Sequence, residues 1–498
     1  MRKGSSKYIS RLLKYLLFIG AVSYIIVFIF IAFYRIGYPF ELEWLEGGSL
    51  DQVKRILAGY KLYVKPSLKF VPFIYPPFYF YLSAGLSKLI GIGFMPLRLV
   101  SLIASLVSFV IIFLIVRQET KDAFAGFVAS CLFAATFRIC GAWFDIARVD
   151  ALFLVFLLAA LYVIKFKSSL KSSLLAGVLV ALSFLTKQTA LIISLPLLLY
   201  HILMERRRSI LFIGTLALII GTSTWFLNYI HGGWYNYYIF NLPGQHSIVK
   251  SEIFNFWSLD IVPVSIAFII SLFYLFAQSI SQTKKNFLFY SSSAVGMIGG
   301  AFLSKLHSGA YSNVLLPAYA IISILFGLGV HTAFQFIRTA PANKQSIMEI
   351  YVYLVCIVQF VCLAYNPYVQ VPTRKDLDAG MKFVSYVSEI KGDVFIPSHP
   401  YLTALANKSS HAHVMAMIDV IRGDKGKTKA ELAGELRDVL REKRFSSILL
   451  DSRGDWFQED IDCYYRATQR PLFNIEPELF RPVTGWNGRP TLIYIPRD

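Results

Sequence analysis

The chain of 498 residues is short of charge and shorter still of acids: 16% of its residues are charged, and Asp and Glu number 30 against 49 Lys and Arg. Cysteine is scarce. Cys131, Cys140, Cys356 and Cys362 fall in or beside apolar runs, and Cys463 stands alone in a polar tail. No CxxC or Cys/His spacing occurs, which argues against a zinc centre and a disulfide framework as organising devices. No internal repeat or low-complexity tract is present. The basic excess, a formal net charge of +19, is dispersed between apolar stretches and forms no groove-sized patch, so nucleic acid is not an expected partner.

What is abundant is apolar surface. Hydrophobic residues make up 56% of the chain and mean hydropathy is +0.56, where a soluble protein runs at about 45–50% apolar. Apolar runs near the ~20-residue spanning length recur through the first three quarters, so a polytopic α-helical membrane protein is expected. Met1, Arg2, Lys3, Lys7, Arg11 and Lys14 precede the first run, Tyr15 to Tyr34, which has no small-residue cleavage site and reads as a retained helix. Ten further spans are expected near 98–116, 123–140, 150–166, 172–186, 188–204, 210–229, 259–280, 286–303, 312–330 and 347–364. Pro76 to Ile90 is short and interrupted by Lys88, as a re-entrant or interfacial helix would be. If it does not cross, the loops bearing Arg117, Lys121, Lys165, Lys167, Arg206 to Arg208, Lys284, Lys285 and Arg338 all fall on the N-terminal, cytoplasmic side. That arrangement of eleven spans makes a multi-pass protein of the cell (inner) membrane. The first loop (35–97) and the C-terminal tail then face outward.

The tail differs in kind. Asp393–Pro397 and Phe445–Asp451 read as short buried strands, and Lys429–Lys443 reads as an amphipathic helix with Leu432, Leu436, Val439 and Leu440 on one face. Residues 1–368 are thus expected to form a membrane domain and 369–498 a small extracytoplasmic α/β domain.

Ionisable groups at the membrane edge are expensive and mark function by default. The first cluster is Glu41, Glu43 and Glu46, followed by Gly47-Gly48; in a helix Glu43 and Glu46 would share a face. A carboxylate against apolar surface is a better proton acceptor near neutral pH, although solvated loop acids would look the same in sequence. Arg148 and Asp150 stand at the mouth of one span, as an anion site or a simple ion pair. Lys187 separates two apolar runs with almost no loop, where it either meets an anion or snorkels. Lys305, His307 and Asn313 cluster between two more spans, in an anion site or a tight turn. On the expected topology all four clusters share one face. Cations around an acidic loop suit a departing phosphate, whose growing charge needs positive groups, and an incoming hydroxyl, which needs a base. The loop carries no DxD-like signature, and with Lys and Arg neutralising the phosphate no metal or other cofactor is required.

Glu43 and Glu46, then Gly59-Tyr60-Lys61-Leu62-Tyr63, then Tyr75-Pro76-Pro77-Phe78-Tyr79, then Arg98 opening the next span, follow in an order that resembles the integral-membrane C-type (GT-C) glycosyltransferases. The likeness is to the protein O-mannosyltransferase and aminoarabinose-transferase group. It covers roughly 10–330 in hydropathy and is specific over 41–98. It implies a GT-C fold and an inverting transfer of a sugar from a polyprenyl-phosphate-linked donor to a glycan, lipid or protein acceptor. By this reading Glu46 is the first candidate base and Glu43 the second. Lys187, Arg148, Lys305, His307, Arg98 and Asn313 would meet the donor phosphate, and Tyr75, Asp150 and Tyr63 the sugar or acceptor. A transporter, a non-catalytic cell-envelope assembly protein and an oligosaccharide ligase or polymerase are the alternative classes. Neither the half-repeats nor the matched broken helices of a transporter are evident.

Overall fold

The computed structural model describes residues 3–280, 284–454, 457–468, 476 and 478–498; Met1 and Arg2 of the basic N-terminus lie outside the described residues. All eleven expected spans are helical. They are α1 (Lys3–Ile36), α4 (Phe94–Thr120), α5 (Ala123–Ala135), α6 (Asp150–Phe166), α7 (Leu170–Thr186), α8 (Thr189–Met204), α9 (Arg206–Ile230), Ser265–Ile280, Lys284–Lys305, Leu316–Thr339 and Ala342–Cys362. Seven described helical stretches are long and apolar enough to cross a membrane, and α5, α7 and α8 are shorter apolar helices beside them. Two more helices belong to the first loop, α2 (Glu46–Leu57) and α3 (Phe78–Ile90).

Local chemistry sets these boundaries. Asp122 caps α5 by accepting from Phe124 N (2.9 Å) and Ala125 N (3.3 Å). Ser169 and Ser172 close a reciprocal capping box at the start of α7. The fifth element falls short of its expected end: α5 stops at Ala135, and the chain turns back into the core through Gly141 and Ala142, both with positive φ. α3 is short and packs against the start of α4. Tyr79 in its first turn donates to Leu97 O (2.9 Å), and α4 begins only three residues after its last turn.

The helices alternate in direction, so their connections gather at two ends. At one end Lys165 meets Glu119 (3.0 Å) and Glu205 meets Lys285. At the other lie α2, α3, residues 136–149, the 231–251 and 305–313 loops, and the C-terminal segment. There the sheet runs β1 (Val394–Phe395), β2 (Ser447–Leu450), β4 (Leu492–Pro496), β3 (Tyr465–Ala467). β1 and β2 are parallel, and the Lys427–Arg441 helix lies between them in sequence, as its periodicity suggested. β4 is antiparallel to both β2 and β3. The C-terminal segment shares one continuous apolar core with the first loop: Phe40, Leu50 and Phe73 belong to the same cluster as Phe395, Met417 and Leu449.

Close helix packing rests on small residues. A Cβ added at Gly296 would lie 2.2 Å from Ile193 O on α8, whereas one at Gly299 would meet nothing within 4 Å. Gly296→Val is therefore expected to lower the thermal midpoint in detergent by the equivalent of about 1–3 kcal/mol. Gly299→Val should leave it near wild type, and equal midpoints for the two variants would refute this packing.

Candidate active site

The acidic loop is buried, and its three carboxylates have different surroundings. Glu46 opens α2, where a negative charge complements the helix dipole. Its two oxygens face Arg98 Nε (3.0 Å) and Nη2 (2.6 Å), and they also accept Leu42 N (2.7 Å) and Ala147 N (2.6 Å). Arg98 is equally occupied, donating to the carbonyls of Arg35 (3.0 Å), Tyr38 (2.5 Å) and Phe40 (2.6 Å). Both side chains are 1% exposed or less. The expectations of Glu46 as first candidate base and Arg98 as a phosphate ligand are corrected here: every polar edge of the pair is spent on holding the loop against α1 and α4.

Glu43 is different. One oxygen accepts Leu45 N at 3.2 Å, while Oε1 is buried without a hydrogen-bond partner. Burial pushes its carboxyl up to about 8, against the pull of the Arg148 charge. Gly485, with φ +74°, packs directly on it: a Cβ there would lie 2.9 Å from Oε1. Glu43 and Glu46 do not share a helical face, because α2 begins only at Glu46 and a turn joins the two (Glu46 N to Glu43 O, 2.9 Å).

Arg148 is a buried guanidinium with no carboxylate in contact among the described residues. Nη2 donates to the Tyr75 hydroxyl (3.2 Å), Nη1 has no partner, and the rings of Trp143, Tyr75 and Phe73 stand 5.0, 5.5 and 5.7 Å away. Beside it Asp150 Oδ1 accepts Lys187 Nζ (2.6 Å) and Asn313 Nδ2 (2.9 Å), leaving Oδ2 buried and unpaired. Tyr311 extends this wall by packing against Trp143 at 5.4 Å. Arg148, Asp150, Lys187, Asn313 and Tyr75 thus meet as expected, from four separate stretches of chain.

Three other expected residues stand elsewhere. Lys305 faces Asp260 (3.3 Å) and Glu252 (3.8 Å), so its charge is already matched. His307 is exposed and pairs through its backbone with Ile248. A tight turn between spans accounts for both. Tyr63 donates its hydroxyl proton to Tyr75 O (2.7 Å) and packs edge-on against Tyr235, so it positions Tyr75 and has no proton left to donate to a ligand.

The C-terminal segment supplies groups that the sequence did not mark. His399 stands between Glu41 (2.5 Å) and Asp451 (3.1 Å), His413 Nε2 reaches Trp44 O (3.0 Å), and Asp419 pairs with Arg422 (3.0 Å). No periodic or spacing signal could have found them, because His399 and Glu41 are 358 residues apart. Between α3, α4, α6 and α7 lies an apolar cavity of about 700 Å³, lined by Leu82, Leu86, Ile103, Leu152 and Phe156 among others. Among the described residues no group of three or more His, Cys, Asp or Glu side chains is placed to hold a metal ion.

Breaking the central ion pair from one side leaves a buried charge alone, which costs about 3–5 kcal/mol. Arg98→Met is accordingly expected to abolish the monodisperse, folded species in detergent chromatography. Normal yield and thermal stability for that variant would show that the pair is dispensable.

Residues 75–227, which contain Tyr75, Arg98, Arg148, Asp150 and Lys187, match the family model described as dolichyl-phosphate-mannose-protein mannosyltransferase. A search by sequence among curated proteins finds no match. Two solved structures share the fold: ArnT from Cupriavidus metallidurans in the apo state and the same protein bound to undecaprenyl phosphate. Each has a TM-score of 0.61, at 11% and 10% identity respectively, with 95% of this chain and 97% of theirs covered. The chain thus shares the fold of ArnT, and residues 75–227 carry the pattern of the dolichyl-phosphate-mannose-protein mannosyltransferase model.

Proposed function

We propose that the protein transfers a sugar from a polyprenyl-phosphate-linked donor to an acceptor at the outer face of the membrane, with inversion at the anomeric carbon. The observation that carries this reading is Arg148, a buried guanidinium with a free Nη1 and no acid of its own, next to the Lys187–Asp150–Asn313 cluster. An unmatched buried cation is costly unless an anion arrives to pair with it. A lipid phosphate is such an anion, and undecaprenyl phosphate is the ligand in one of the structures sharing this fold. The apolar cavity beginning at Leu152, just below Asp150, suits an isoprenoid chain.

In the proposed reaction an acceptor hydroxyl or amine attacks the anomeric carbon as the bond to the phosphate oxygen breaks. The electron pair stays on the polyprenyl phosphate, where Arg148 and Lys187 meet the developing charge. Glu43, with its unpaired oxygen, takes the acceptor's proton, and the free Oδ2 of Asp150 accepts from a sugar hydroxyl. Cations perform the neutralisation, so the proposal needs no metal.

Glu43→Gln is expected to lower transfer by about 10²–10⁴-fold with unchanged yield, the usual worth of a general base. Near-full activity of that variant in an assay with a polyprenyl-phosphate sugar would sink the assignment. A base raised to about 8 works only once deprotonated, so kcat/KM should climb with pH and level off above about 8; a profile flat from pH 6 to 9 would contradict this. Arg148→Ala should raise KM for the donor at least ~10-fold, corresponding to about 1.4 kcal/mol. An unchanged KM would remove Arg148 from the phosphate site.

A further inference from the structure

Residues 41–47 are fastened on two sides. Among the described residues, Glu46 alone of these is hydrogen-bonded toward the membrane helices, by Arg98 and Ala147 N. Apart from the continuation into α2, the other hydrogen bonds to the loop from outside it, among the described residues, come from the C-terminal segment. Glu41 meets His399 through its carboxylate and Tyr401 through its amide (3.2 Å). Leu42 O accepts Thr484 N (3.1 Å), Glu43 bridges to Thr484, and Gly485 lies against the Glu43 side chain. Trp44 O is held by His413. Because a carbonyl can only accept, His413 Nε2 must carry the proton, and Nδ1 then accepts Met415 N at 3.1 Å. The tautomer is set by its two partners. Gly47 closes the arrangement: its amide donates to Glu41 Oε1 at 3.0 Å, and a Cβ there would lie 2.3 Å from that oxygen and 2.5 Å from Tyr401.

The charges are arranged as tightly as the bonds. Glu46 is matched by Arg98, and Glu41 and Asp451 share His399, both of whose ring nitrogens face a carboxylate. His399 is 3% exposed; Tyr401 and, across a small cavity, Arg481 and Arg489 line the same space. Glu43 is the one loop acid with no cation in contact among the described residues.

We infer that the C-terminal segment is a working part of the active site, and that His399 and His413 are positioning residues that hold Glu43 where it can take a proton. His399 sets the charge beside Glu43 by pairing with Glu41 and Asp451, and it anchors the start of the loop. His413 anchors the middle. Neither touches the reacting atoms. The inference rests on Glu43 as the base of the proposed reaction, but its structural half can be read without any activity.

Two measurements test it, on the full-length protein in detergent. The first is hydrogen exchange of the backbone amides of residues 41–47, which requires no substrate. His399→Gln is expected to speed exchange there at least ~10-fold while leaving α4 protected, and Asp451→Asn, which keeps the side-chain shape, should do so to a smaller extent. The second is transfer from a polyprenyl-phosphate sugar. His399→Gln should lower kcat at least ~10-fold with KM for the donor within ~2-fold of wild type, and should shift the pH at which kcat/KM levels off. His413→Phe should lower kcat in the same way without that pH shift. Unchanged exchange over 41–47 in His399→Gln overturns the inference. So does a loss of activity that follows the folded fraction alone, with the pH profile unmoved. If the exchange result holds but the wild type transfers no sugar, the clamp stands and the proposed reaction falls.

Discussion

The bidentate pair of Glu46 and Arg98 is the interaction on which the site depends. It joins opposite helix ends: Arg98 collects the carbonyls of Arg35, Tyr38 and Phe40, where α1 ends and its dipole is negative, and Glu46 sits on the first turn of α2, where the dipole is positive. Two charges taken out of water are costly, and the cost is offset only when the remaining lone pairs and protons are also used. Here they are. The loop therefore has one course between α1 and α2, and the positions of Glu41 and Glu43 follow from it.

Three glutamates within six residues acquire three roles from their surroundings. Glu46 is saturated and structural. Glu41 pairs with His399, which it shares with Asp451, and ties the loop to the C-terminal segment. Glu43 keeps a bare buried oxygen, with burial raising its carboxyl and Arg148 restraining the rise. The cations divide in the same way. Arg98 and Lys305 are matched by acids, Lys187 is matched by Asp150, and Arg148 has aromatic faces in place of a carboxylate. Chemical capacity sits with the groups that the fold leaves unmatched.

Much of the architecture was legible in the sequence, because its signals are local. Spanning helices announce themselves by runs of apolar residues, and the C-terminal helix by Leu432, Leu436, Val439 and Leu440 on one face. Membrane-edge charge singled out Arg148, Asp150, Lys187 and Asn313, which the fold brings together, since each interrupts or flanks an apolar run. The same rule misled at Lys305 and His307, where Glu252 and Asp260 fold back across a distant loop. It also ranked Glu46 above Glu43, because spacing alone cannot show that Arg98 takes up every face of one glutamate and none of the other.

The sequence by itself determined the eleven long apolar helices, the short α3 and the amphipathic helix of the tail, because hydropathy acts within a few turns of chain. Tertiary structure alone decided which acid is bare and which is bound, and brought His399, His413, Asp451 and Thr484 onto a loop some 350 residues or more away. The physical reason is that an ionisable group's role depends on which charges and dipoles lie within a few ångströms of it. In a polytopic chain those neighbours come from elements that no local pattern links.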